Sequence, residues 1–307
     1  MEITAGRRES RSQALAARPE ARLPRLAAAL LHSKTALPAG LVLLAVAAAA
    51  LLAPWVAPHD PGTLGTLNLA NRMKPPAFLD GGSLNYLLGT DSLGRDILSR
   101  LIYGARVSLL VGFAAVTLAG SCGVLLGLVA GYFGGWADDL IMRLGDTQLA
   151  LPPLLLAVFL MAIVGPGLGN VVVVLALSSW VGYARIVRAQ VLAVRAAEYV
   201  EAARVIGARQ LAIMFRHVLP NTLAPVIVVA SFAVANAIMS EAALSFLGLG
   251  VETTTPTWGG MLADGRDYLA DGWWLGAFPG LAILLTVLAI NLLGDWLRDY
   301  LDPRLRV

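Results

Sequence analysis

Charge is scarce in this chain. Asp, Glu, Lys and Arg make up 14% of its 307 residues, against about 25% in a soluble domain. That shortage excludes an ordinary water-soluble globule. Cysteine is scarcer still: Cys122 stands alone, so no disulfide forms within the chain. Its place in the middle of an apolar run reads as a buried structural thiol. The three histidines, His32, His59 and His217, are scattered, and no metal-ligand spacing emerges. No G-x4-G-K-S/T loop occurs, which leaves no recognisable phosphate cradle. No Ser, His and Asp gather at one plausible site. The formal net charge of +3 gives no reason to expect a nucleic-acid partner.

Apolar sequence is what the chain has in abundance. Hydrophobic residues make up 58% and the mean hydropathy is +0.73. A helix needs roughly 20 apolar residues to cross the hydrocarbon core, and six stretches qualify. The first runs from Thr35 to Pro58 and the second from Val107 to Trp136. One uncharged run from Thr147 to Ala184 is too long for a single crossing, and Gly165-Pro166-Gly167 splits it. The third span therefore starts near Leu140, with a kink at Pro152-Pro153, and the fourth starts near Val171. The fifth runs from Asn221 to Leu249 and the sixth from Gly272 to Gly294. The reading is an all-α membrane protein with six transmembrane helices.

Lys and Arg set the orientation. With both termini in the cytoplasm, the inner pieces hold roughly 17 of the 23 Lys and Arg. The expected organisation is a cytoplasmic tail over 1–35, a first helix over 36–58 acting as a signal anchor, and an external loop over 59–106. A five-helix core follows over 107–297, with a cytoplasmic loop at 185–220, and the chain closes with a cytoplasmic tail over 298–307. Arg143 and Asp146 are spaced for an i,i+3 ion pair. Trp273 and Trp274 read as an aromatic belt.

The inner loop is the most patterned segment. Gln190 to Ile206 reads as one helix, with Arg195–Glu198 and Glu201–Arg204 at pairing distance. Gly207 suits a left-handed cap. Residues 208–217 read as a second short helix, and Pro220 opens the fifth span. Glu201, Ala202, Ala203, Arg204, Gly207, Ile213, His217 and Pro220 together match E-A-A-x3-G-x5-I-x3-H-x-L-P-N. A lone E-A-A triplet is close to noise; the joint spacing at this topological position is not. The pattern resembles the EAA loop of ATP-binding-cassette (ABC) importer permeases. The resemblance implies that small Ala202 and Ala203 permit close approach of a separate ATPase, with charge on Glu201 and Arg204 setting register.

The outer segments carry further strings. Gly89-Thr90-Asp91-Ser92-Leu93-Gly94-Arg95-Asp96 continues to Ser99-Arg100 and Gly104-Ala105-Arg106. Leu93, Ile97, Leu98, Leu101, Ile102 and Ala105 share one face at helical spacing. Asp91 or Ser92 is placed to cap this interfacial helix, and Asp96 and Arg100 are placed to pair along it. The run resembles G-T-D-x-L-G-R-D-x-x-S-R-x-x-x-G-A-R-x-S-L of the dipeptide/oligopeptide/nickel permease family. Pro256-Thr257-Trp258-Gly259-Gly260-Met261-Leu262 and Gly131-Tyr132-Phe133-Gly134-Gly135 look like the same family. Asp91, Arg95, Asp96 and Trp258 are its candidate external residues. Glu241 sits roughly 30 Å along the fifth span, so it should face protein or a water-filled cavity. With Ser240 and Ser245 it is a candidate for the pore or gate; a contact between subunits is the competing reading.

The resemblance covers residues 36–307 and implies a type I ABC importer permease core, as the second subunit of a pair. It implies a sister permease, two ATPases and an external solute-binding protein in a bacterial or archaeal inner membrane. ATP and Mg would bind the ATPases; this chain itself would bind no cofactor and catalyse nothing. An ion-driven secondary carrier or a channel is the alternative. The solute is open among dipeptides, oligopeptides, nickel chelates, glutathione and other small solutes.

Overall fold

Glycine and proline set where this chain turns. The computed structural model describes residues 29–61, 69–252 and 254–301. Most of the expected N-terminal tail and the end of the C-terminal tail lie outside them. The described residues are helical, without strands; one isolated bridge joins Thr90 and Asp96. Helix α1 spans Ala36–Leu51, and a short turn over Ala53–Val56 follows it. Helix α2 spans Ile97–Phe133, α3 Gly135–Leu149, α4 Pro153–Val164 and α5 Leu168–Val194. Then come α6 over Glu198–Val205, α7 over Gln210–Phe246, α8 over Trp258–Gly265 and α9 over Trp274–Leu301.

All six expected apolar segments are helical. Four helices, α2, α5, α7 and α9, are each long and apolar enough to cross a membrane. The pair α3 and α4 passes the same test only when taken together, and it is bent by 88° at its break. Helix α1 is apolar but has only 16 residues. The expected kink at Pro152-Pro153 is a full break. Pro153 disfavours the α conformation at the residue before it, and Pro152 is extended there with ψ 132°.

Helix α2 packs most extensively on α5. Gly123, Gly127 and Gly131 fall at four-residue intervals on the contact face. A Cβ on Gly127 would meet the Ala184 carbonyl oxygen at 2.4 Å. Small residues at this spacing let two backbones approach where lipid supplies no hydrophobic force. Helix α7 lies against α2, α5 and α9, and α1 lies against α2 and α9.

Several local pairings give way to longer ones. Asp146 pairs with Arg185 of α5 instead of Arg143. Arg188 of α5 pairs with Asp138, fastening the other end of α3. Arg195 does not pair with Glu198: its Nη1 donates to the carbonyls of Gly131 and Tyr132 at 2.9 and 3.2 Å. Those carbonyls end α2 and have no intrahelical donor. The chain therefore breaks at 195–197, and the expected Gln190–Ile206 helix is two helices. The cysteine expectation is also corrected. Cys122 is exposed on the surface of the chain, because α5 covers the Gly123 side of α2.

Candidate functional site

The strongest sequence pattern folds as an elbow between α6 and α7. Helix α6 stops at a paired glycine cap. Gly207 has φ +80°; its N–H donates to Arg204 O, and the Ala208 N–H donates to Ala203 O at 3.1 Å. This is the double bond pattern that closes a helix through a left-handed residue. Helix α7 then begins at Gln210, whose side-chain oxygen accepts from the Tyr132 hydroxyl at the end of α2. A π-helical turn over Met214–Val218 precedes Pro220. Proline lacks an N–H and crowds the carbonyl four residues back. The wider turn lets the helix pass through it, so the expected separate helix at 208–217 is the start of α7.

The elbow has an inner and an outer face. Val200, Ala203, Ile213, Met214 and Val218 are buried in one cluster with Leu128, Tyr132, Val187 and Val191. Ala203 and Ile213, expected at a docking surface, thus anchor the elbow to α2 and α5. Glu201, Ala202 and Pro220 are exposed, and His217 is half-buried. Arg204 Nη1 donates to Glu201 at 2.8 Å, as the spacing suggested. Sequence reasoning missed the residues just before the cap. Val205 is 85% exposed and Ile206 83%. Leu211 and Phe215, one turn apart on α7, are exposed as well. The available signal was an apolar pair set against a helix-ending glycine in a charged loop.

The opposite end of the bundle holds the other string. Asp96 caps α2, accepting from Ser99 N at 2.9 Å and Ser99 Oγ at 2.6 Å. It is the cap, in place of Asp91 or Ser92, and it does not pair with the Arg100 side chain. Asp91 is buried and takes both guanidinium groups, Arg95 Nε and Arg100 Nη1 each at 2.6 Å. It also accepts from the N–H groups of Leu93 and Arg95. The second arms of Arg95 and Arg100 reach Asp264 of α8 at 3.0 and 2.9 Å. Trp258 is buried between α8 and α2, with Nε1 donating to Leu101 O at 3.0 Å. Trp274 is buried too, donating to Thr90 O, so of the expected belt pair only Trp273 is exposed.

Glu241 is fully buried inside the chain. It accepts from Ser245 Oγ at 2.7 Å and Ser108 Oγ at 3.3 Å, and the Thr257 hydroxyl that caps α8 faces the same carboxylate. The side chain thus joins α7, α2 and α8. Ser240 lies elsewhere, on a cavity of about 210 Å³ between α2, α5 and α7. Ser179, Tyr183 and Asn236 share that wall. A polar amide inside an apolar span was the overlooked signal for Asn236.

The model of the family described as "Binding-protein-dependent transport system inner membrane component" matches residues 123–307. A di/tripeptide transport system permease protein of Pseudomonas aeruginosa is 52% identical over 275 residues, 90% of each chain. A dipeptide transport system permease protein of Escherichia coli K12 is 50% identical, over 84% of this chain and 85% of that one. Its Haemophilus influenzae counterpart is 45% identical, over 86% and 88%. Among solved structures, the inward-facing MetNI methionine ABC transporter superposes with a TM-score of 0.54 at 19% identity, covering 66% of this chain and 96% of that one. That likeness is one of fold. The chain belongs to the binding-protein-dependent transport system inner membrane components, as a permease subunit of an ABC importer.

Proposed function

We propose that this subunit forms half of the membrane pathway for short peptides, paired with a sister permease and driven by two separate ATPases. The elbow carries the reading. Its outer face offers Val205 and Ile206 to a partner, while its inner face is sealed into the α2–α5–α7 core. A partner that moves the elbow therefore moves the helices that wall the cavity. The relatives named as peptide permeases support the solute class. The excess of Lys and Arg on the elbow side supports a cytoplasmic elbow and cytoplasmic termini. An external binding protein then delivers peptide at the α8 end, and ATP with Mg acts on the ATPases. Coupling is reciprocal: solute arrival at one end must favour nucleotide closure at the other.

Reconstitution tests this. The chain, its sister permease, two ATPases and a loaded binding protein in vesicles are expected to accumulate labelled dipeptide only with Mg-ATP. Accumulation driven by an ion gradient with the ATPases omitted would overturn the reading. Within the same assay, Glu241→Gln is expected to transport within about twofold of the parent, since its carboxylate meets only hydroxyls of its own chain. Glu241→Ala is expected to cost about 1–3 kcal/mol of stability, because it strands those buried hydroxyls. Thermal unfolding in detergent reads the second effect. A large loss of uptake in Glu241→Gln at parental stability would place the residue in the pathway.

A further inference from the structure

Among the described residues, the wall of the cavity between α2, α5 and α7 carries no carboxylate, ammonium or guanidinium. Its polar groups are Ser179, Tyr183, Asn236 and Ser240. Counting 1.5 Å per residue, Asn236 lies about 15 Å inside the Phe246 end of α7, and Ser179 about 16 Å inside the Leu168 end of α5. Both are therefore near the middle of the bilayer. Asn236 and Ser179 are exposed on this chain. Among the described residues neither side chain has a hydrogen-bond partner. An amide facing hydrocarbon at that depth is costly, so it faces water, solute or protein.

Tyr183 adds an independent sign. It is 2% exposed, borders the same cavity, and its buried hydroxyl has no partner among the described residues. A buried hydroxyl of this kind calls for a hydrogen-bonding group, a water or a solute amide, on the cavity side.

We propose that Ser179, Tyr183, Asn236 and Ser240 form this subunit's wall of the solute path and take the amide backbone of a peptide without regard to the charge of its side chains. The inference rests on the peptide-permease reading above. Each peptide unit presents one N–H and one C=O. An Asn amide and a hydroxyl each donate and accept, so the wall answers both groups. A charged ring would instead favour one sign of solute. A neutral wall leaves selection by charge to the binding protein.

The test uses the reconstituted transporter with neutral, Lys-containing and Glu-containing dipeptides. The parent must first show ATP-driven uptake; its absence would count against the peptide-permease reading itself. With Asn236→Lys, uptake of the Lys dipeptide relative to the Glu dipeptide is expected to fall on the order of tenfold or more from the parental ratio. Asn236→Asp is expected to shift the ratio the other way. An unchanged ratio in assembled complexes overturns the proposal, as does a uniform fall with loss of the sister subunit, which would make Asn236 a subunit contact. Should the charged variants fail to insert, Asn236→Cys in a Cys122→Ala chain decides. It is expected to react with a charged, water-soluble maleimide and to be protected by saturating loaded binding protein. A thiol that does not react overturns the proposal.

Discussion

Ile206→Asp is expected to lower ATP-driven uptake roughly thirty-fold or more while the chain still inserts and pairs with its sister. Ile206 is 83% exposed and Val205 85%, so neither holds the fold together. Surface substitutions of this kind change folding stability by about 0.5 kcal/mol or less. At a partner's surface the balance differs. A central apolar anchor contributes about 2 kcal/mol or more, and a carboxylate in its place adds the cost of an unpaired buried charge. The Glu201–Arg204 pair, though part of the same pattern, is a partly exposed i,i+3 pair and contributes about 0–1 kcal/mol. Glu201→Gln should therefore fall far short of Ile206→Asp. The measurement is ATPase co-purification beside peptide uptake in vesicles. Full retention of both by Ile206→Asp would remove the elbow as the coupling surface.

Asp91→Ala is expected to destabilise the folded subunit by about 3–5 kcal/mol. Asp91 is 2% exposed and Arg100 4%. Without the carboxylate, two guanidinium groups converge on Asp264, which is 39% exposed in its side chain. Breaking one side of a buried pair leaves charge uncompensated, and that is the costly direction. Removing both partners is a different matter. Asp91→Leu with Arg100→Met leaves the Arg95–Asp264 bridge and no orphaned charge between α2 and the turn before it. The double variant is expected to regain the part of the loss that comes from uncompensated charge, while the Leu93 and Arg95 N–H groups stay without their acceptor. Thermal unfolding of the detergent-solubilised subunit would show it. A double variant no better than the single one would mean that the cluster has a role beyond charge compensation, for instance in holding α8 for the binding protein.

These two sites differed in how much of them a linear reading could find. The spacing from Glu201 to Pro220 located the elbow, and Gly207 sits in the left-handed cap assigned to it. Those are local properties: backbone sterics act within a few residues, so a glycine after a helical run carries its own evidence. The same reading placed Ala203 and Ile213 on the outside, where they are buried, and passed over Val205 and Ile206. It paired Arg143 with Asp146, Asp96 with Arg100, and Arg195 with Glu198, each within one helix. The chain instead spends Asp146 on Arg185, Arg100 on Asp91 and Asp264, and Arg195 on the end of α2. Partners 39 or 164 residues away leave no local trace.

By itself, then, the order of amino acids determined the membrane class, the six apolar segments, the breaks at Gly165 to Gly167 and Pro152-Pro153, and the register of the elbow. Each of these follows from transfer of side chains out of water or from the steric range of single residues. Tertiary structure alone decided which face of each helix is inside. It turned Glu241 toward Ser108 and Ser245, Asn236 toward the cavity and Cys122 outward. In a lipid-facing helix every side is apolar, so hydropathy does not choose a rotation. That choice comes from close packing at Gly123, Gly127 and Gly131 and from polar groups that find partners only when the helices meet.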